Sequence, residues 1–152
     1  MEDHRSLNTG AAAFALPLLM LWLADSATVM PAPKLLQGPD IISAFEGKTV
    51  EGAYNDGLAF RETYFSGGNI DYWDPRASSG GQWSVVNNLF CTFYTAMTGG
   101  CFRIVQVSAN CFDFYAAADS EREAMDPAKR SDYTARGAVK GTASTCPDEL
   151  QA

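Results

Sequence analysis

The chain has 152 residues, 47% of them hydrophobic and 19% charged, with a net charge of −7, which suits one domain with one modest core. Its acidic balance and scattered Lys and Arg disfavour nucleic acid and anionic membrane surfaces, which need clustered positive charge. The single histidine, His4, lies so near the N-terminus that a processed chain would keep no imidazole for a triad, a zinc site or a pH switch.

Ala11 to Ala24 form a run of fourteen residues without a charge, too short to span a bilayer comfortably but suited to the apolar middle of a secretory signal. Ala24 and Ser26 place small residues for cleavage before Ala27. Residues 1–26 are therefore expected to be a signal peptide, with Glu2 and Asp3 offsetting Arg5 at its start; the alternative is a retained N-terminal anchor. Cleavage would remove Glu2, Asp3, Asp25 and Arg5, leaving 15 acidic and 10 basic residues and a net charge of −5. The expected address is periplasmic or secreted, with no stable membrane insertion once the signal is gone.

Residues 27–38 hold Pro31, Pro33 and Gly38, are followed by Pro39, show no clean period, and read as an extended leader. Asp40 is the expected cap of a short helix through Glu46, with Ile41, Ile42 and Phe45 on its apolar stripe and Gly47 as its stop. After Gly47 the pattern turns to short β-branched and aromatic runs: 48–54, 58–65, 69–73, 82–87, 89–94, 101–107 and 111–116. Asn55-Asp56-Gly57 and Ser66-Gly67-Gly68 mark turns, and 74–81 is expected to be the longest internal loop. Crossover helices have no room, so pairing must be antiparallel.

The expected fold is thus mainly β: a small antiparallel meander of about seven strands over residues 39–118, forming a partly closed barrel or a strongly twisted sheet, with one short N-terminal helix. Residues 119–152 carry few large apolar groups and are expected to be a polar, mobile tail, with Cys146 as its one tether.

An oxidising compartment makes Cys91, Cys101, Cys111 and Cys146 disulfide partners before nucleophiles. A hairpin with Thr95, Ala96 and Met97 at its tip sets Cys91 opposite Cys101 and leaves Cys111 for Cys146. If Gly99 and Gly100 form the turn instead, the two sulfurs lie about 13 Å apart. Across the Ser108-Ala109-Asn110 turn, Cys111 is expected opposite Val107. No Cys-x-x-Cys pair exists, so neither a metal nor a redox cofactor is expected.

Gly47-Lys48-Thr49-Val50-Glu51-Gly52, Asp56-Gly57, Phe60-Arg61-Glu62-Thr63-Tyr64-Phe65, Gly81-Gln82-Trp83-Ser84-Val85, Leu89-Phe90-Cys91, Cys101-Phe102-Arg103-Ile104-Val105 and Phe114-Tyr115 together form a pattern. It resembles that of small exported bacterial domains of uncharacterised function, in which a glycine-x-tryptophan strand precedes a Leu-x-Cys or Leu-Cys strand and then a Cys-Phe strand. The resemblance covers residues 40–116 and implies an envelope protein with a paired-cysteine hairpin. It supplies no catalytic residues, and Cys111 and the long tail with Cys146 depart from it.

The one candidate for chemistry is Asp71-Tyr72-Trp73-Asp74 with Glu62 on a neighbouring strand, since paired carboxylates can act as acid and base on a glycosidic bond. The blander reading makes Asp71 an outward residue and Asp74-Pro75 a turn opening. Calcium at Asp71 and Asp74 lacks the regular loop spacing. Arg61, Glu62 and Arg103 are expected to form an exposed cross-strand cluster. The resulting expectation is a non-catalytic binding or inhibitor-like module that recognises an unidentified protein or envelope component; alternatives are a carboxylate-dependent glycan hydrolase using Glu62, Asp71 and Asp74, or a passive structural protein.

Overall fold

The structure, a computed structural model, describes residues 32–147; the expected signal peptide over 1–26 lies outside the described residues. In chain order the elements are β1 (Lys34–Leu35), α1 (Gly38–Phe45), β2 (Lys48–Tyr54), β3 (Ala59–Tyr64), β4 (Asn69–Trp73), β5 (Ser78–Val86), β6 (Leu89–Tyr94), β7 (Gly100–Ser108), β8 (Cys111–Ala116), α2 (Glu121–Met125) and β9 (Ala135–Val139). All strand pairings are antiparallel. The order β7-β6-β5-β4-β3-β2-β9-β8 returns to β7, so eight strands close a barrel. Closure leaves those eight without a free sheet edge.

The barrel explains why several strands are apolar on both faces. Phe60, Tyr64, Ile70, Trp83, Phe90, Ile104, Phe112 and Phe114 point inward and form the main core. A second cluster of Val105, Tyr115, Ala124 and Tyr133 lies outside the barrel wall, where α2 packs over β1 and β7. Outward residues of β7 and β8 are thus buried as well.

Helix α1 positions one end of this core. Pro39 stands at its start and Gly47, at φ +72°, follows its end, a left-handed position that favours glycine. Ile41 and Phe45 are four residues apart, share a face and are fully buried. Phe45 meets the rings of Tyr64, Phe90, Phe112 and Phe114 at centroid distances of 5.2–5.7 Å. Ile42 is exposed; a rotation of about 100° per residue carries it off the stripe it was expected to share. Asp40 is not the cap. The N-terminal N–H of Gly38 is taken instead by Asn88 Oδ1 at 2.9 Å, from the turn between β5 and β6. Asn87 and Asn88 both have positive φ there, the geometry of a two-residue hairpin that twists with its strands.

Three boundaries differ from expectation. The described part of the leader, from residue 32, is folded into the domain: β1 pairs with β7 at Gln106 and Val105, and Leu36 is buried. Strand β5 begins at Ser78, inside the expected loop, because its Ser-Gly residues pair fully with β4. The domain also runs past residue 118. Strand β9 lies between β2 and β8, so the expected mobile tail contains a barrel stave.

Strand β9 carries no apolar signal in the sequence because it closes the wall through backbone proximity. Gly52 faces Gly137 across the β2–β9 pair. A Cβ on Gly52 would stand 2.0 Å from the Arg136 carbonyl oxygen and 2.6 Å from Gly137 Cα. Small residues are what this seam demands, and they carry no apolar signature.

Disulfides Cys91–Cys101 and Cys111–Cys146 are both formed. Cys91 sits directly opposite Cys101, so the hairpin tip falls before the two glycines. Cys111 faces Ser108, not Val107, because the register shifts between Gln106 and Ser108. Asn110 anchors the segment that brings Cys146 in: its amide nitrogen donates to the carbonyls of Val139, Thr142 and Ala143, and its Oδ1 accepts from the Val139 N–H.

Candidate functional site

The end of the barrel opposite α1 holds a cavity of about 150 Å³. Its wall comes from the end of β2 (Tyr54), the start of β3 (Phe60, Glu62), the end of β6 (Thr92, Tyr94), the start of β7 (Phe102), β8 (Phe114) and the start of β9 (Ala135). Met97, Thr98 and Gly99 of the β6–β7 loop, with Thr134, form its rim.

Alternation places the polar groups in it. Phe60, Glu62 and Tyr64 occupy every second position of β3 and are buried together. Glu62 is 6% exposed. Tyr64 Oη donates to Glu62 Oε2 and Tyr94 Oη to Glu62 Oε1. Among the described residues no Lys or Arg forms an ion pair with this carboxyl. Burial raises its pKa, and the two phenolic donors only partly counter that. Burial also raises Tyr64 and Tyr94, reinforced by the Glu62 charge, so both phenols keep the protons they donate.

A second chain of hydroxyls runs beside the first. Tyr54 Oη donates to Tyr72 Oη at 3.3 Å, and Tyr72 Oη donates to Asp74 Oδ2 at 2.8 Å. The ring of Tyr72 lies 5.3 Å from that of Tyr94, joining the two arrays. Asp74 is 3% exposed. Its Oδ1 accepts the backbone N–H groups of Arg76 and Ala77 at 2.7 Å each, and Arg76 Nη2 lies 3.4 Å from Oδ2. Burial would raise this carboxyl, but the hydrogen bonds from Tyr72 and the two backbone amides outweigh it and the pKa is lowered.

The three carboxylates singled out from sequence therefore separate. Glu62 pairs with Tyr72 across β3 and β4, on the neighbouring strand as expected. Asp74 closes the turn after β4. Asp71 faces outward and is exposed, one residue out of phase with Tyr72. The expected exposed cluster of Arg61, Glu62 and Arg103 is overturned: Arg61 lies over the outer ring of Trp73 at 5.2 Å, Arg103 donates to the Asp119 carbonyl, and Glu62 is inside. The calcium pair fails with it, since Asp71 and Asp74 point to different sides of the wall.

Tyr54, Tyr64, Thr92 and Tyr94 were not singled out from the sequence. The signal for Glu62 and Tyr64 was present: a carboxyl two residues from a large aromatic on each side shares their face, and that face is the core. Among the described residues no group of three or more His, Cys, Asp or Glu side chains could hold a metal ion. No helix among them is long and apolar enough to cross a membrane. Compared with family models, with curated proteins and with solved structures, the chain matches none of them.

Proposed function

We propose that this protein is an extracytoplasmic binding module, periplasmic or secreted, whose barrel admits a small ligand at the end opposite α1. The observation that carries this reading is the placement of Glu62: a buried carboxyl with no cationic partner among the described residues, on the wall of a cavity that opens between the β6–β7 loop and Thr134. A protein that only needed a stable core would gain more from an apolar residue there, because a buried charge costs several kcal/mol, order of magnitude ~5, unless paired. Two disulfides fit an oxidising compartment.

The glycan-hydrolase reading has less support. Asp71 is on the outer face, and Asp74 is engaged by Tyr72, Arg76 and Ala77. That leaves Glu62 without a second carboxylate free to activate water.

The test is a screen of small fragments by amide chemical-shift mapping on the oxidised protein. Shifts gathered at Gly99, Gly100 and Ala135 support the proposal; shifts confined to the outer wall, or none, overturn it. Export is tested separately, by sequencing the N-terminus of the exported protein, which should begin near Ala27.

A further inference from the structure

We infer that the ligand of this cavity is a small organic cation, a quaternary ammonium group, held against Glu62 and the surrounding aromatic rings. The inference rests on the cavity being a binding site and specifies what it selects.

Three features converge on positive charge. The first is the direction of the hydroxyl donors. Both phenolic hydrogens that reach Glu62 are spent on it, so neither phenol offers that hydrogen to a guest. The Tyr54 and Tyr72 hydroxyls likewise both point toward Asp74. What these chains leave toward the cavity are oxygen lone pairs, so a guest must donate or carry positive charge.

The second feature is the missing counter-charge. Asp113, buried on the outer side of β8, has Arg136 and Asp74 has Arg76, whereas the described residues give Glu62 only neutral phenols. An ammonium group would supply the opposite charge in a site shielded from water, where it counts most.

The third is the wall itself. Tyr54, Phe60, Tyr94 and Phe102 contribute aromatic rings, with Tyr54 and Phe60 at a centroid distance of 5.1 Å. Ring faces carry negative potential and attract cations, quaternary ammonium groups above all. A volume of about 150 Å³ is of the order that admits a benzene-sized guest, a scale that tetramethylammonium or the head of choline matches.

The experiment titrates the oxidised protein with tetramethylammonium, choline and 3,3-dimethylbutan-1-ol, the uncharged carbon analogue of choline, at constant ionic strength, following the amides of Gly99, Gly100 and Ala135. The expected result is saturable shifts with both cations and binding of the neutral analogue weaker by about tenfold or more. Glu62→Gln should remove most of that difference. Tyr54→Leu, in the wall at the end of β2, should weaken the cations more than the alcohol, and it decides the matter if Glu62→Gln does not fold. Equal or tighter binding of the alcohol overturns the cation while leaving the cavity a binding site. Silence from all three probes overturns it too, and fragments from the wider screen then decide whether the cavity binds anything.

Discussion

Arg136 grips Asp113 with two parallel bonds, Nε to Oδ1 at 2.6 Å and Nη2 to Oδ2 at 2.9 Å, from neighbouring strands β9 and β8. Asp113 is fully buried, and the guanidinium also lies over the ring of Tyr133 at 4.3 Å. The pair fastens the final stave to the barrel on its outer side, beneath the segment that leads to β9.

Breaking one half of this pair should therefore cost much more than removing both. Arg136→Leu leaves a buried carboxylate and is expected to lower stability by about 3–5 kcal/mol. The double variant Asp113→Leu, Arg136→Leu should recover most of that loss. Urea denaturation of the three proteins measures the coupling; equal losses in the single and double variants would show that the charges are not the cause.

The disulfides should differ in worth by the loops they close. Cys111–Cys146 spans 35 residues and Cys91–Cys101 spans 10. In the chain-entropy account the first contributes about 4 kcal/mol and the second about 3 kcal/mol. Serine substitution of each pair, compared by denaturant midpoint, should rank them in that order, and mass spectrometry with and without reductant should find all four thiols consumed in the parent.

Asn88 caps α1 from another element, so Asn88→Gly, which keeps the left-handed turn, isolates the lost hydrogen bond to Gly38. We expect a loss of about 0.5–2 kcal/mol. Asn88→Ala should lose more, since it adds strain at positive φ. Thermal melts of the two variants and the parent separate these contributions; a melt of Asn88→Gly identical to the parent's would leave the cap without effect.

Glu62 predicts a pH dependence. Burial raises its folded-state pKa above the unfolded value, so its favourable contribution is complete below the unfolded value and is lost as pH rises through the folded one. Relative to Glu62→Gln, which cannot ionise, the parent should lose stability across that window and run parallel outside it. Denaturant curves from about pH 4 to about pH 8 measure this; a parent that gains on the variant as pH rises would mean a lowered carboxyl.

Much of the wall could be read in the sequence. Strands β2, β4, β6 and β8 have the expected bounds, because Asn-Asp-Gly, Gly-Gly and the aromatic alternation mark their ends. Both cysteine pairs followed from hairpin geometry and elimination. Strand β9 did not, because Ala135, Gly137 and Ala138 are chosen for closeness to β2, and closeness leaves no mark in hydrophobic periodicity. The site was half visible. Glu62 stood out as a carboxyl, but its inward face depended on weighing Phe60 and Tyr64 beside it, and its link to Tyr94 joins residues 32 apart in the chain that meet only when the cylinder is formed.

The placement of β9 between β2 and β8 also sets an order of assembly. The gap in the cylinder waits for residues 135–139, so β2 and β8 each keep an open hydrogen-bonding edge until that strand is added. The same keystone finishes the cavity, because Ala135 of β9 is part of its lining and has no place there before the cylinder shuts.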